Sequence, residues 1–189
     1  MKKVIVSALT FLAGFNTFAQ TYTLDKPHAK LNFSITHLMI SDVDGSFKDF
    51  SVKLNSTKED FSDAIVDLTA AINSIDTDND QRDTHLKGSD YFDAAKFPTL
   101  IFKSKSMKKV SDKKYKLAGD ITIHGVTKPI ELDVAYNGSA IHPYTKKTVV
   151  GFKISGLIKR TDFGVGTTTP SAILSDEVPI VANVEFIKE

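Results

Sequence analysis

The chain has 189 residues, with 24 Lys or Arg against 23 Asp or Glu and a formal charge of +1. Hydrophobic residues make up 41% of it, which fits one soluble domain and is too few for a multispan membrane protein. The near-zero charge offers no electrostatic case for nucleic acid, and the absence of cysteine excludes a disulfide framework, a thiolate metal site and a cysteine nucleophile.

The chain opens on a targeting pattern. Lys2-Lys3 precede an apolar run from Val4 to Phe15, and Thr17-Phe18-Ala19 has small residues at the −3 and −1 positions of a cleavage site. This predicts a cleaved signal peptide over 1–19, a mature domain over 20–189, and a periplasmic or otherwise exported protein that is not integral to the membrane after cleavage.

From Tyr22 the hydrophobic period is two. Ala29, Leu31, Phe33, Ile35 and His37 share one face of a strand, with Lys30, Asn32, Ser34 and Thr36 on the other. Asp44-Gly45 reads as a turn or bulge. Ser56 to Ser62 reads as a polar connection, and Val66, Leu68, Ala70 and Ile72 resume the apolar face. The run Asp76 to Asp80 lacks the glycine and distal glutamate of an EF-hand, so it is an acidic turn and no metal site is expected.

Gln81–Pro98 interrupts the alternation. Asp80 is positioned to cap a short helix ending at Gly88, Ser89 or Asp90 to start a second short turn, and Pro98 to end it. The stretch predicts a cap across a barrel mouth, with an Arg82–Asp83 ion pair fixing it to the rim. Beyond it, Leu100 and Phe102, then Leu117, Gly119, Ile121 and Ile123, then Ile130, Leu132, Val134 and Tyr136 mark inward faces. His124 to Pro129 reads as a tight connection and Asn137-Gly138 as a hairpin turn. Val150, Phe152 and Ile154 continue inward, Arg160 to Thr169 is a glycine-rich loop, and Ile180, Ala182, Val184 and Phe186 mark the last strand.

About eight strands at hairpin spacing predict an all-β fold, a closed barrel or a sandwich, since one-sided alternation is compatible with both. An antiparallel eight-stranded barrel with short helical cap segments is favoured, because closure removes the edges that such long strands would expose. A barrel of that size is filled by side chains or holds one small ligand. Ala70, Gly119, Gly156 and Ala182, small residues at inward positions, either fit the taper of a solid core or leave volume. A cavity here would have an apolar wall of Phe33, Ile35, Leu68, Ile72, Phe102, Leu117, Ile121, Leu132, Val134, Tyr136, Phe152 and Ile154, suited to a long hydrocarbon. His37, Arg82, Asp83 and His85 would stand at its mouth. No HExxH, GxSxG or phosphate-binding glycine loop is present, so no catalytic residue is expected. The rival readings are an enzyme using His37, Asp83 and His85 as acid and base groups, and a packed structural or partner-binding barrel.

Arg82-Asp83-x-His85-Leu86, Tyr91-Phe92-Asp93 and Phe97-Pro98-x-x-x-Phe102-x-Ser104 resemble the hallmark run of the YceI-like proteins. Asp25-x-x-His28, Phe33-x-Ile35-x-His37, Gly45-x-Phe47, the run Gly119 to Lys128, and Arg160-x-Asp162-Phe163-Gly164 agree in order. Ala29 departs from the family's usual serine after His28. The resemblance implies a secreted, lipocalin-like barrel that encloses an isoprenoid lipid of quinone or polyprenyl type, needs no cofactor and has no enzymatic activity.

Overall fold

The structure is a computed structural model describing residues 19–189; the expected leader, 1–19, lies outside them apart from Ala19. One antiparallel sheet contains β1 (Gln20–Leu24), β2 (Lys30–His37), β3 (Ser41–Phe47), β4 (Phe50–Ser56), β5 (Ile65–Ala71), β6 (Ile75–Asp76), β7 (Thr99–Ser111), β8 (Lys114–Ile123), β9 (Val126–Ile141), β10 (Thr148–Lys159) and β11 (Glu177–Lys188). It closes where Tyr22, Thr23 and Leu24 pair with Lys188, Ile187 and Phe186.

Six of these strands are halves of three bent ones. β1 and β2 lie end to end along β11. β4 and β3 lie along that pair, and β5 and β6 along the next. The breaks align across the sheet, joined by Asp25 N–H to Glu185 O at 2.9 Å, Lys48 N–H to Ser74 O at 3.0 Å and Ala71 N–H to Asp49 O at 2.9 Å. Counted as continuous strands, the sheet is a closed eight-stranded up-and-down barrel, as expected. Its outer face carries ion pairs such as Lys105–Asp120 at 2.6 Å and Lys116–Asp133 at 2.8 Å, and its inner face is apolar. A membrane-spanning barrel has the reverse arrangement.

Several turn assignments from sequence are overturned. Asp44-Gly45 lies inside β3, and Gly45 makes room for the ring of Phe33 on the paired strand, 2.3 Å from where a Cβ would stand. Asn137-Gly138 makes no hairpin. β9 runs through it to Ile141, and the register slips between Gly151 and Phe152 of β10, so Asn137 is bulged out. The hairpin closes later, with His142 N–H on Lys147 O at 2.9 Å. The β8–β9 connection is only His124-Gly125, both in the left-handed region; Val126 to Pro129 already pair with β8.

The one α-helix of the described residues, α1, spans Asp80–Lys87. Its N-cap is Asn79, one residue earlier than expected, whose side chain accepts from Arg82 N–H at 2.9 Å. The expected second short turn follows it, without a second α-helix among the described residues. Residues 88–97 form successive turns, and Phe97 N–H reaches Asp93 O at 2.8 Å.

Candidate functional site

The barrel interior holds two apolar chambers. The inner one, about 110 Å³, is bordered by side chains of nearly every strand, with Asn32 its one polar residue. The outer one, about 290 Å³, lies under α1 and the segment after it. Phe33, Phe47, Leu100, Ile158 and Ile180 border both and form the waist between them.

The glycines expected to leave volume do not make this space. A Cβ on Gly119 would stand 2.7 Å from the ring of Phe102, and one on Gly156 would stand 2.3 Å from Leu132. Larger neighbours fill those gaps, and the void remains along the axis. Of the twelve expected wall residues, Phe33, Leu68, Phe102, Leu117, Ile121, Leu132, Val134, Phe152 and Ile154 border the inner chamber, and Ile35 borders the outer one. Ile72 and Tyr136 border neither. Ile72 is buried in the 3₁₀ turn Ile72–Ser74 between β5 and β6.

Tyr136 belongs to the closed end. There Phe61 contacts Tyr22, Tyr136 and Phe152, with ring centroids 5.3, 5.3 and 5.1 Å away. Phe61 is 2% exposed, although its segment reads as a polar connection. It sits in the left-handed region at φ 58°, a strained conformation for a bulky residue, and plugs the barrel floor. One apolar residue among serines, lysines and acids is the only trace of this in the sequence. The loop is tied down by Asp63. Burial pushes the Asp63 carboxyl up, but donors from the Thr57 and Ser56 hydroxyls and the Thr57 and Lys58 amides outweigh it and hold that carboxyl well below the usual range.

At the open end, His37, Arg82 and His85 border the outer chamber, and Asp83 does not. The expected Arg82–Asp83 ion pair is absent among the described residues. Adjacent helix residues point about 100° apart and do not face one another. Both bind buried Thr77 instead. Arg82 Nε donates to Thr77 Oγ1 at 2.7 Å, and Thr77 Oγ1 donates to Asp83 Oδ1 at 2.6 Å. Asp83 also accepts from the Thr77 amide at 3.0 Å. This relay seats α1 on the end of β6 and leaves Asp83 turned from the chamber. The acid–base trio of His37, Asp83 and His85 is therefore not assembled there. His85 stacks edge-on against Tyr91, with centroids 4.9 Å apart.

The other side of the mouth is held by Arg160, which the sequence marks as a motif residue at the start of a glycine-rich loop without showing its role. It is 4% exposed, and its five N–H donors meet five backbone carbonyls. Nε donates to Ser175 at 3.1 Å, Nη1 to Val165 at 3.2 Å and to Gly166, and Nη2 to Thr169 at 2.8 Å and Leu174 at 3.0 Å. No carboxylate of the described residues lies within ion-pair distance of it. Tyr91 Oη meets Thr169 Oγ1 at 3.0 Å, and Gly166 N–H donates to Asp90 O at 3.0 Å, so the two cap segments join. Asp25, His28 and Glu185 gather elsewhere, at the β1–β2 bend, with ligand atoms within 4.8 Å; the 3.0 Å Asp25–His28 hydrogen bond accounts for that grouping.

No helix of the described residues is long and apolar enough to cross a membrane. A model of the YceI-like domain matches residues 22–186. Protein YceI of Salmonella newport is 36% identical over 186 residues, covering 97% of this chain and 95% of its own. UPF0312 protein SAB2563 of Staphylococcus aureus is also 36% identical, over 87% of this chain and 96% of its own. Among solved structures, a Campylobacter jejuni YceI protein superposes with a TM-score of 0.74 at 39% identity, covering 89% of this chain and 98% of its own. A domain from Saccharophagus degradans, described as polyisoprenoid binding and implicated in plant cell wall breakdown, shares the fold with a TM-score of 0.67 at 15% identity over 89% of this chain and 98% of its own.

Proposed function

The chain belongs to the YceI-like family, and from that membership we propose that it is an exported, non-enzymatic protein that binds, carries or sequesters a long-chain isoprenoid lipid inside its barrel. The observation that carries this reading is the void itself, an axial space bordered mainly by aliphatic and phenylalanine side chains, plugged at one end by Phe61 and, Asn32 apart, polar only near the other. An apolar cavity of about 150 Å³ is enough to stay dry and take benzene, so the outer chamber is of a size to admit hydrocarbon. A longer tail would occupy both chambers in line, with Phe33 and Phe47 turning aside at the waist. Burying several hundred Å² of such a tail stabilises the complex by on the order of 10 kcal/mol before ordering costs, at ~25 cal/mol per Å². No catalytic group is required.

The isoprenoid class is what family resemblance implies, and the described binding of the Saccharophagus degradans domain is consistent with it. The leader pattern over 1–19 supports export, to the periplasm in a Gram-negative cell. A polar head would meet His37, Arg82 or His85 in the outer chamber, whose other polar residues, Thr77 and Arg160, are engaged in the hydrogen bonds of the two cap segments.

The test is mass spectrometry on an organic extract of the mature protein, purified without detergent. A stoichiometric isoprenoid is expected; a blank from folded protein, unchanged after incubation with quinones, rejects the carrier and favours a packed barrel. His85→Ala should weaken binding of a headed isoprenoid and spare the bare hydrocarbon chain. Equal loss for both would remove His85 from the head-group site.

A further inference from the structure

The β2–β3 hairpin turns through Leu38, Met39 and Ile40, which are 49%, 61% and 82% exposed. Leu38 and Met39 both stand in the left-handed region, at φ 51° and 59°, and the Ile40 amide donates to the His37 carbonyl at 3.1 Å. Asn-Gly is the pair such a turn favours, because bulkier side chains are strained there. Large apolar groups are thus held in water on a backbone that disfavours them, a combination that clusters at functional positions. Ile173, 41% exposed, joins the patch, its carbonyl accepting from the Leu38 amide at 2.8 Å. The patch leads inward. His37 and Leu174, the chain neighbours of Leu38 and Ile173, are bridged to each other and border the outer chamber.

We propose that this tip inserts into the lipid surface of a membrane and sets the mouth of the barrel against the bilayer, so that a hydrocarbon chain passes between the two without crossing water. The inference rests on the carrier reading given above. Shape selects the occupant: a convex tip of four side chains falls far short of the roughly 800 Å² that each partner brings to a standard protein interface. A bilayer, by contrast, closes around a protruding tip from every side. Exposed Asp42 and Asp44 follow on β3, so the complementary surface is zwitterionic, since an anionic one would repel them.

The chain has no tryptophan, so Met39→Trp puts a single tryptophan at the tip, a fluorophore excited selectively at wavelengths where tyrosine does not absorb. With phosphatidylcholine vesicles its emission should move to the blue and be quenched by lipids brominated along the acyl chain; unmoved emission overturns the proposal. Leu38→Asn/Met39→Gly installs the pair that the turn favours, so it should fold at least as stably as the parent. Its cosedimentation with the same vesicles should fall by at least about tenfold, and undiminished cosedimentation overturns the proposal. A dimer that this double variant abolishes, with vesicles leaving the fluorophore unmoved, makes the tip a protein contact and overturns it too. Extractable isoprenoid separates the two readings: a loaded protein with an inert tip keeps the carrier and loses the docking. A tip that enters the bilayer on a chain taking up no isoprenoid keeps the docking and loses the carrier.

Discussion

Arg160 carries a full charge into a buried place, and its neighbours there are carbonyl dipoles. The five donors of a guanidinium form a fixed fork, and the loop from Val165 to Ser175 wraps five carbonyls around it. Lysine offers three donors on a compact head and cannot reproduce that fork. Arg160→Lys should therefore leave carbonyls unpaired and destabilise the protein by about 3 kcal/mol, at about 1–3 kcal/mol per orphaned group. It should also raise amide exchange across 165–175. Chemical denaturation with hydrogen-exchange mass spectrometry checks both, and unchanged protection there would mean that the loop holds itself. Thr77 plays a comparable part on the other cap segment, taking two donors from Arg82 and giving two to Asp83.

The loop Thr57–Asp63 depends on pH through two carboxyls, the exposed Asp60, which hydrogen bonds from Ser62 hold below the usual range, and, more strongly, Asp63. Asp63 is more acidic when folded than when unfolded, because burial, which opposes ionisation, is outweighed by the hydroxyl and amide donors that converge on it. Its stabilising contribution is therefore complete above the ordinary carboxylate value near 4 and is lost as the pH falls below that toward the depressed folded value, with a slope of at most about 1.4 kcal/mol per pH unit. Asp63→Asn should lower stability at neutral pH and flatten the acid limb of the stability curve below about pH 4. Urea midpoints measured from pH 7 to pH 2 test this, and parallel curves for the two proteins would remove Asp63 as the source. Since this loop carries Phe61, loosening it should also unseat the aromatic floor.

Barrel closure joins the two ends of the described chain, with Tyr22 on Lys188 and Leu24 on Phe186. The sheet has no long open edge, and the void along its axis is enclosed by strands from the whole chain. A ligand in that void contacts the folded state alone, so it stabilises folding by mass action. Protein stripped of lipid should unfold at a lower temperature than protein as purified, and readdition of an isoprenoid should restore the difference. At a free ligand concentration about 100-fold above Kd the gain is about 2.7 kcal/mol. Identical melting curves for the loaded and stripped forms would mean that the extracted lipid was not held in the barrel.

Period-two alternation by itself determined the strands, the apolar inner face and the eight-stranded antiparallel class, because a half-buried strand must alternate whatever else it touches. It also placed ten of the twelve expected wall residues beside the void. Motif order identified the family, which alternation could not do. The errors cluster where a local signal met a distant partner. Asn137-Gly138 is a hairpin pair on paper, yet β10 offered a longer ladder and turned it into a bulge. Gly45 and Gly119 read as a turn and as empty space until Phe33 and Phe102 arrived over them from paired strands. Phe61 lies in a stretch that reads as a polar connection, and Arg160 at the start of one that reads as a glycine-rich loop. Each owes its role to contacts with residues far along the chain, Phe61 above all with Tyr136 and Phe152. Those contacts exist only once the sheet has closed on itself, because closure brings the barrel floor, the mouth and the void between them into being.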